Sequence, residues 1–191
     1  AVFRTTLAVL RPTPGRASRA ARSRGTSPPW RSSSSRASPM TLRAFLQIGQ
    51  AKVATSAEEA RGMAILGPAD RIVMSRDHLL TEAKREVLAM VAAGYHPPAP
   101  ELIYAPGRDM FGAMKIGAWS FMAGGYITEY DSHIATKLAN VMAGGMLSKP
   151  TWVSEQYILD LEREAFISLC GEERTQARMW SLLQTGKPLR N

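Results

Sequence analysis

The apolar residues of this chain recur at helical spacing beyond Thr41, and this periodicity constrains the fold more than any other feature. In segment 78–93 the apolar side chains share one helical face: Leu79, Leu80, Ala83, Val87, Leu88 and Val91. Glycines and prolines end the periodic segments, as they commonly do at helix C-termini. The same criteria predict further helices over about 42–48, 57–64, 109–123, 128–143, 155–170 and 172–185. The sequence therefore predicts a mainly α-helical protein.

Several predicted helix starts carry side chains that can cap them: Ser56, Ser75 or Asp77, Thr128 and Ser154. A hydroxyl or carboxylate at this position accepts a hydrogen bond from an amide of the first helical turn. Ser56 and Glu59 have the spacing of a capping box, in which the glutamate bonds back to the cap. These positions set the expected boundaries of the helices.

One short strand is predicted, at Arg71–Met74, with Ile72 and Val73 at its centre. A single strand needs a sheet partner, because its backbone amides and carbonyls must be hydrogen-bonded. The sequence therefore does not predict a complete α/β domain.

The positive charge of the chain lies in its first 40 residues. Residues 1–40 contain eight arginines and no lysine, aspartate or glutamate, so residues 41–191 hold 16 basic and 16 acidic side chains. Such an Arg-, Ser- and Pro-rich segment offers too little apolar surface to fold alone, which predicts a disordered leader. Three interpretations stay open: an organellar transit peptide, a basic arm for nucleic acid, or out-of-frame translation.

The neutral body makes nucleic-acid binding unexpected, since it lacks interleaved basic and aromatic residues. No run of 18 apolar residues is present, so no membrane span is expected. A single cysteine, Cys170, fits a reducing compartment and is interpreted as a small buried hydrophobe. We expect a cytoplasmic protein, or an organellar one if residues 1–40 are a transit peptide.

The motifs of self-contained chemistry are missing from this sequence. Its three histidines lie far apart, without metal-ligand spacing: His78, His96 and His133. Gly124–Gly125 and Gly144–Gly145 follow predicted helices and are interpreted as C-caps. The charge run Glu162, Arg163 and Glu164 is interpreted as a solvated helix face. No metal site and no catalytic residue is predicted.

Two segments resemble the crotonase superfamily. The first is the run Ala51–Leu66 followed by Asp70–Val73 and Leu79–Ala89, which is similar to that superfamily's "AeEA" helix, short strand and next helix. The second comprises Leu161–Phe166, Thr175–Arg178 and Gly186–Pro188, and it resembles the terminal pair of helices. The resemblance implies the helical carboxy-terminal part of a β-β-α spiral domain, with the spiral core largely absent.

A narrower resemblance, over about 42–191, is to bacterial multifunctional 3-hydroxyacyl-CoA dehydrogenases with an enoyl-CoA hydratase-like portion at the carboxy end. It rests on Gly124–Glu129, Val153–Tyr157 and the ending Thr185–Asn191, together with an inserted helix pair at about 109–143. This resemblance implies a fragment of a fatty-acid β-oxidation enzyme whose parent uses NAD and an acyl-CoA substrate.

The family's catalytic carboxylates precede the "AeEA" helix, and residues 1–40 contain no acidic residue. We therefore expect the chain to be inactive alone and to hold no cofactor. The resemblance assigns CoA contacts to Phe166 and Lys187, whose alternatives are helix packing and a solvated tail. The competing hypothesis is a non-catalytic helical interaction or assembly module. Self-association into homo-oligomers is expected of the fragment, because the absent core would leave its apolar faces uncovered.

Overall fold

The computed structural model describes residues 30–97 and 99–191, with side chains from Pro39 onward. It divides into two compact units. One consists of the chain up to Lys52 together with Leu102–Asn191, and the other is Val53–Glu101. Each unit has its own helices, which are described separately below.

The larger unit contains five helices and two short strands within the described residues. In chain order these are α1 (Trp30–Gly49), β1 (Ile103–Ala105), α4 (Arg108–Ala123), α5 (Glu129–Ala143), β2 (Thr151–Val153), α6 (Glu155–Cys170) and α7 (Glu173–Thr185). The smaller unit contains α2 (Ala57–Gly62) and α3 (Leu79–Ala92). The prediction of a mainly helical protein is confirmed. None of the helices within the described ranges is long and apolar enough to cross a lipid bilayer.

Helix α1 begins earlier than the sequence predicted. It starts at Trp30 and continues through Pro39, so the expected boundary at residue 40 falls inside a helix. Its carboxy-terminal half is anchored by Thr41, Ala44 and Phe45, which are buried. This packing holds a helix that the composition of residues 30–40 does not favour by itself. The rest of the predicted leader, residues 1–29, lies outside the described residues.

The predicted caps are confirmed at three helices. The hydroxyls of Ser56 and Ser154 accept bonds from amides three residues on, at 3.1 and 3.2 Å. Thr128 forms a complete capping box with Asp131. The carboxylate of Glu59 accepts a bond from the amide of Thr55, one residue before the cap, at 2.7 Å.

The predicted cap of α3 is wrong. His78 stands at that position and makes no side-chain cap bond, so neither Ser75 nor Asp77 serves there. The nearby chain is held by charge instead, because Arg71 forms ion pairs with Glu82 and Glu86, both at 2.8 Å.

The predicted strand at Arg71–Met74 is also wrong, since this segment has no strand. The sheet instead pairs β1 with β2 in antiparallel register, with Ile103 opposite Val153 and Ala105 opposite Thr151. Three-residue strands persist because a partner supplies the backbone hydrogen bonds, and Arg71–Met74 lacks such a partner among the described residues of its own unit. The described residues therefore hold two strands, where the sequence predicted one, and they form no β-β-α spiral.

The core of the larger unit is built on the hairpin of α4 and α5. One buried cluster joins α1, α4 and α5 through Ala44, Phe45, Met114, Ala118, Ala139, Met142 and Ala143. A second cluster joins Ile103, Val141 and Ile158, and it links β1 to α5 and α6. Both clusters include residues of α5, so α1, α4, β1 and α6 all pack against this helix.

The smaller unit buries little. Met63 is the one buried hydrophobic side chain among its described residues. The predicted stripe of α3 is exposed, with Leu80 at 82% and Val91 at 69%. The amphipathic pattern predicted this helix correctly, but the apolar face that it indicates is not buried among the described residues.

Candidate ligand-binding groove

A groove of about 690 Å³ opens beside the core of the larger unit. Its walls come from the end of α1, from α4, α5 and α6, and from single side chains of α7 and of the carboxy-terminal segment. Its size is within the range of small-molecule sites in proteins. The groove is therefore the candidate site of this chain.

Most of the groove lining is apolar. Residues that also belong to the buried clusters reach into it, among them Phe45, Ala118, Val141 and Ile158. The floor thus comes from α1, α4, α5 and α6 and belongs to the packed core. The lining also includes the exposed side chains of Leu46, Tyr126 and Phe166, and covering these would remove apolar surface from water. An apolar segment of a ligand or of another polypeptide fits such a surface.

Glu162 brings a carboxyl into this apolar lining. It has no hydrogen bond or ion pair with any other described residue, and burial raises its pKa above the ordinary value. Arg163 and Glu164 are exposed, and Arg163 pairs with Asp160 at 2.9 Å. The interpretation of this run as a solvated face is therefore wrong for Glu162, because the helix turns that residue toward the groove.

A dense polar cluster lies at another part of the groove wall. Arg178 of α7 donates to Asp131 at 2.6 Å and to the side-chain oxygen of Asn191 at 2.7 Å. Its guanidinium also lies 5.0 Å from the centre of the Tyr130 ring. Partial burial favours the neutral form of Asp131, but bonds from the Thr128 amide and from Arg178 outweigh it and lower the pKa of Asp131. This cluster ties α5, α7 and the carboxy-terminal segment together.

Asn191 is the part of the cluster that fixes the carboxy-terminal segment. Its backbone oxygen accepts from Arg178 at 3.0 Å and from Thr128 at 3.3 Å, and its side-chain amide donates to the carbonyl of Arg174. The preceding residue, Arg190, lines the groove. It has no hydrogen bond or ion pair with the described residues, so its charge is open to a ligand.

The two residues that the resemblance assigned to CoA lie in different surroundings. Phe166 lines the groove and is 56% exposed, so it is not part of the packed core. The backbone amide and carbonyl of Lys187 bond the hydroxyls of Thr185 and Ser181. Its side chain is exposed and is not among the groove residues. The structure thus does not bring the two side chains to one site.

The remaining candidates do not form a reactive centre among the described residues. No group of three metal-ligating side chains is present there. His133 bonds Glu172 at 2.9 Å, and Cys170 is a partly buried free thiol at the end of α6. Partial burial is compatible with packing as well as with reactivity, so the interpretation of Cys170 as a packing residue stays a prediction.

The glycine doublets do not fit a dinucleotide. Gly124–Gly125 and Gly144–Gly145 follow the carboxy ends of α4 and α5, and their amides bond helix carbonyls. A pyrophosphate is bound by free amides at a helix amino terminus after a strand, which is the opposite polarity. Their interpretation as caps is confirmed.

Sequence patterns alone did not find the main groove residues. Glu162 was hidden in a charge run, and Arg190 was part of a charged end. One signal was present in the sequence: Glu162 lies next to Leu161 and three residues before Ala165, on the side of the α6 apolar stripe. The position of Arg190 in the groove lining depends on the fold, because contacts with distant residues anchor the adjacent Asn191.

The chain is similar to the probable 3-hydroxyacyl-CoA dehydrogenase of Bacillus subtilis (strain 168), with 46% identity over 150 residues. The match covers 78% of this chain and 19% of the relative, so it spans about a fifth of that protein's length. No family model matches the chain. No solved structure matches it at a significant level either.

Proposed function

We propose that residues 42–191 are the helical carboxy-terminal part of a multifunctional acyl-CoA enzyme of fatty-acid β-oxidation, with 3-hydroxyacyl-CoA dehydrogenase and enoyl-CoA hydratase activities. The observation that carries this proposal is the 46% identity to the probable 3-hydroxyacyl-CoA dehydrogenase. The hydratase part of the proposal rests on the resemblance to crotonase helices. NAD and the catalytic core would belong to the rest of the parent enzyme.

The chain alone is inactive in this proposal. Acid–base work on a thioester needs carboxyl groups that converge on the substrate, and an oxyanion needs preorganised donors. The groove lining holds two carboxyls, and Asp131 is held by Arg178, which leaves Glu162 as the unpaired one. One carboxyl in an apolar wall supports binding rather than hydration. The chain contributes a binding surface that the parent completes.

Acyl-CoA is the proposed ligand of that completed surface. Phe166 would contact the acyl-CoA from the groove wall, where its ring is half exposed. Lys187 would contact a CoA phosphate, since its exposed ammonium is a suitable point charge for that group. The two contacts would then lie at separate points along an extended ligand.

Complementation tests this proposal. The B. subtilis relative would be expressed without the segment that matches this chain, and the chain would be supplied as a second polypeptide. We expect the two to co-purify and to regain NADH formation from 3-hydroxybutyryl-CoA and hydration of crotonyl-CoA. Neither piece should act alone. Turnover of crotonyl-CoA by the isolated chain, or a failure of the pieces to associate, would contradict the proposal.

The second candidate is a non-catalytic interaction or assembly module. It is favoured by the exposed apolar side chains of α6 and α7, with Ile167 at 63%, Trp180 at 63% and Leu183 at 78%. Large exposed apolar patches mark interaction surfaces. In this case the chain forms homo-oligomers through these helices without any parent enzyme. Sedimentation of the purified chain would then show a defined oligomer that acyl-CoA does not affect.

We further propose a cytoplasmic location and no nucleic-acid partner. The single cysteine fits a reducing compartment, and the basic and acidic residues of 41–191 are equal in number. Fractionation of cells that produce the chain, with a nuclease-treated control, would test both points.

A further inference from the structure

The groove combines an apolar floor with a cation, Arg190, that has neither a hydrogen bond nor an ion pair among the described residues. The floor comes from α1, α4, α5 and α6, and Arg190 lines the wall. Of the other lining cations, Arg178 forms an ion pair with Asp131, and Lys137 donates to the uncharged hydroxyl of Ser168 at 3.0 Å. A ligand that fits both features has an apolar chain and a single anionic end.

The net charge of the groove lining also favours an anionic ligand. Lys137, Arg178 and Arg190 face Asp131 and Glu162, so the lining carries a formal charge of +1 when both carboxyls are ionised. Protonation of Glu162 raises this charge to +2 and removes the one unpaired anion of the lining. A cationic amphiphile would be repelled by the positive charge of this lining.

We propose that this groove binds an unbranched amphiphile with a single anionic head, of the class of free long-chain carboxylates, whose head pairs with Arg190. This goes beyond the proposed enzyme fragment, because it needs neither CoA nor a catalytic core. The chain of the ligand covers the apolar lining beside Phe166, and the head pairs with the exposed Arg190.

The contacts of Asn191 prepare Arg190 for this role. Four hydrogen bonds hold the residue that follows Arg190: two from Arg178, one from Thr128 and one to the carbonyl of Arg174. Less side-chain and backbone freedom is therefore lost when a ligand binds than for an unanchored segment. Arg178 is accordingly a positioning residue, and Arg190 is the residue that contacts the head.

Glu162 makes the binding depend on pH. A ligand chain that covers its carboxyl removes the ionised form from water, which is unfavourable, while the protonated form costs less. The charged groups that share the groove are Asp131 and Lys137 of α5, Arg178 of α7 and Arg190 of the terminal segment. Binding of an anionic amphiphile should therefore tighten as pH falls toward the titration range of Glu162.

Calorimetric titration of the full 191-residue chain tests the proposal with three probes of equal chain length, each below its critical micelle concentration or, for the uncharged probe, its solubility limit. The probes are dodecanoate, dodecanol and dodecyltrimethylammonium, which differ in head charge. We expect dodecanoate to bind most tightly and the ammonium most weakly. Arg190→Ala should weaken dodecanoate about three- to tenfold and leave dodecanol unchanged, which also shows that the variant is folded.

Lys115→Ala is the matched control, because it removes the same charge from an exposed site on α4 that is not among the groove residues. It should leave all three affinities unchanged. Glu162→Gln should tighten dodecanoate at pH 8 and flatten its pH dependence. Equal binding of the three probes, or equal effects of Arg190→Ala and Lys115→Ala, would overturn the proposal and favour a polypeptide as the occupant. Complementation of the relative could still succeed in that case, so the two proposals fail separately.

Discussion

Gly144 is the position where a single methyl group should reveal how closely β1 approaches α5. Its φ is +82°, in the left-handed region, and it forms the C-cap of α5. A Cβ at this position would overlap the Cβ of Ala105 and lie 3.3 Å from Cδ1 of Leu147. Gly144→Ala should therefore destabilise the larger unit in two ways, through backbone conformation and through steric overlap.

The magnitude follows from these two contributions. A left-handed conformation costs a non-glycine residue about 1–2 kcal/mol. Overpacking against a backbone-anchored neighbour costs about 1–3 kcal/mol more. Gly125→Ala is the matched control, because Gly125 has a φ of +72° and no described atom lies within 4 Å of the place that its added methyl group would take. We expect losses in the free energy of unfolding of about 2–5 kcal/mol for Gly144→Ala and about 1–2 kcal/mol for Gly125→Ala.

Urea unfolding followed by tryptophan fluorescence measures this difference for the larger unit of the structure. All four tryptophans, at positions 30, 119, 152 and 180, lie outside Val53–Glu101. The fluorescence change therefore reports the larger unit. Equal losses for the two variants would refute the argument, because they would mean that the added methyl at Gly144 meets no resistance from Ala105.

Three further predictions concern charge and association. Asp131→Asn should lower the urea midpoint at pH 7. Because the pKa of Asp131 is lowered in the fold, the difference in midpoint between this variant and the wild type should disappear as pH falls below about 4. Glu162→Gln should raise the midpoint at pH 7, because burial raises the pKa of Glu162, and the gain should vanish in acid, where the carboxyl is protonated. The chain should form concentration-dependent oligomers in light scattering, and Leu183→Glu should reduce them, since Leu183 is 78% exposed; a wild-type monomer at all concentrations would contradict this.

The starts of α2, α5 and α6 were predictable because their capping signals are local. Ser56, Thr128 and Ser154 each bond an amide three residues on, and such a bond depends on four residues of sequence. The sheet was not predictable in this way. Ile103 pairs with Val153, far along the chain, and neither three-residue strand has enough alternation to be recognised.

The groove was even less accessible to sequence patterns. The periodicity of α6 shows which residues share a face, but it does not show which face another helix covers. Glu162 and Phe166 both reach the groove, although one was interpreted as solvated and the other as a CoA contact or a core residue. Their common location follows from how α6 packs on α5, which is a property of the tertiary fold.

The α4–α5 hairpin has the position of an insertion in the chain, since it connects two strands that pair with each other. Its two ends are neighbours, so excision would leave ends that a short turn could join. The same hairpin supplies five of the seven residues in the main buried cluster. A shortened chain that keeps β1 and β2 and lacks the hairpin would thus be easy to connect and hard to fold. The hairpin is thus an insertion by chain order, but the flanking helices pack on it.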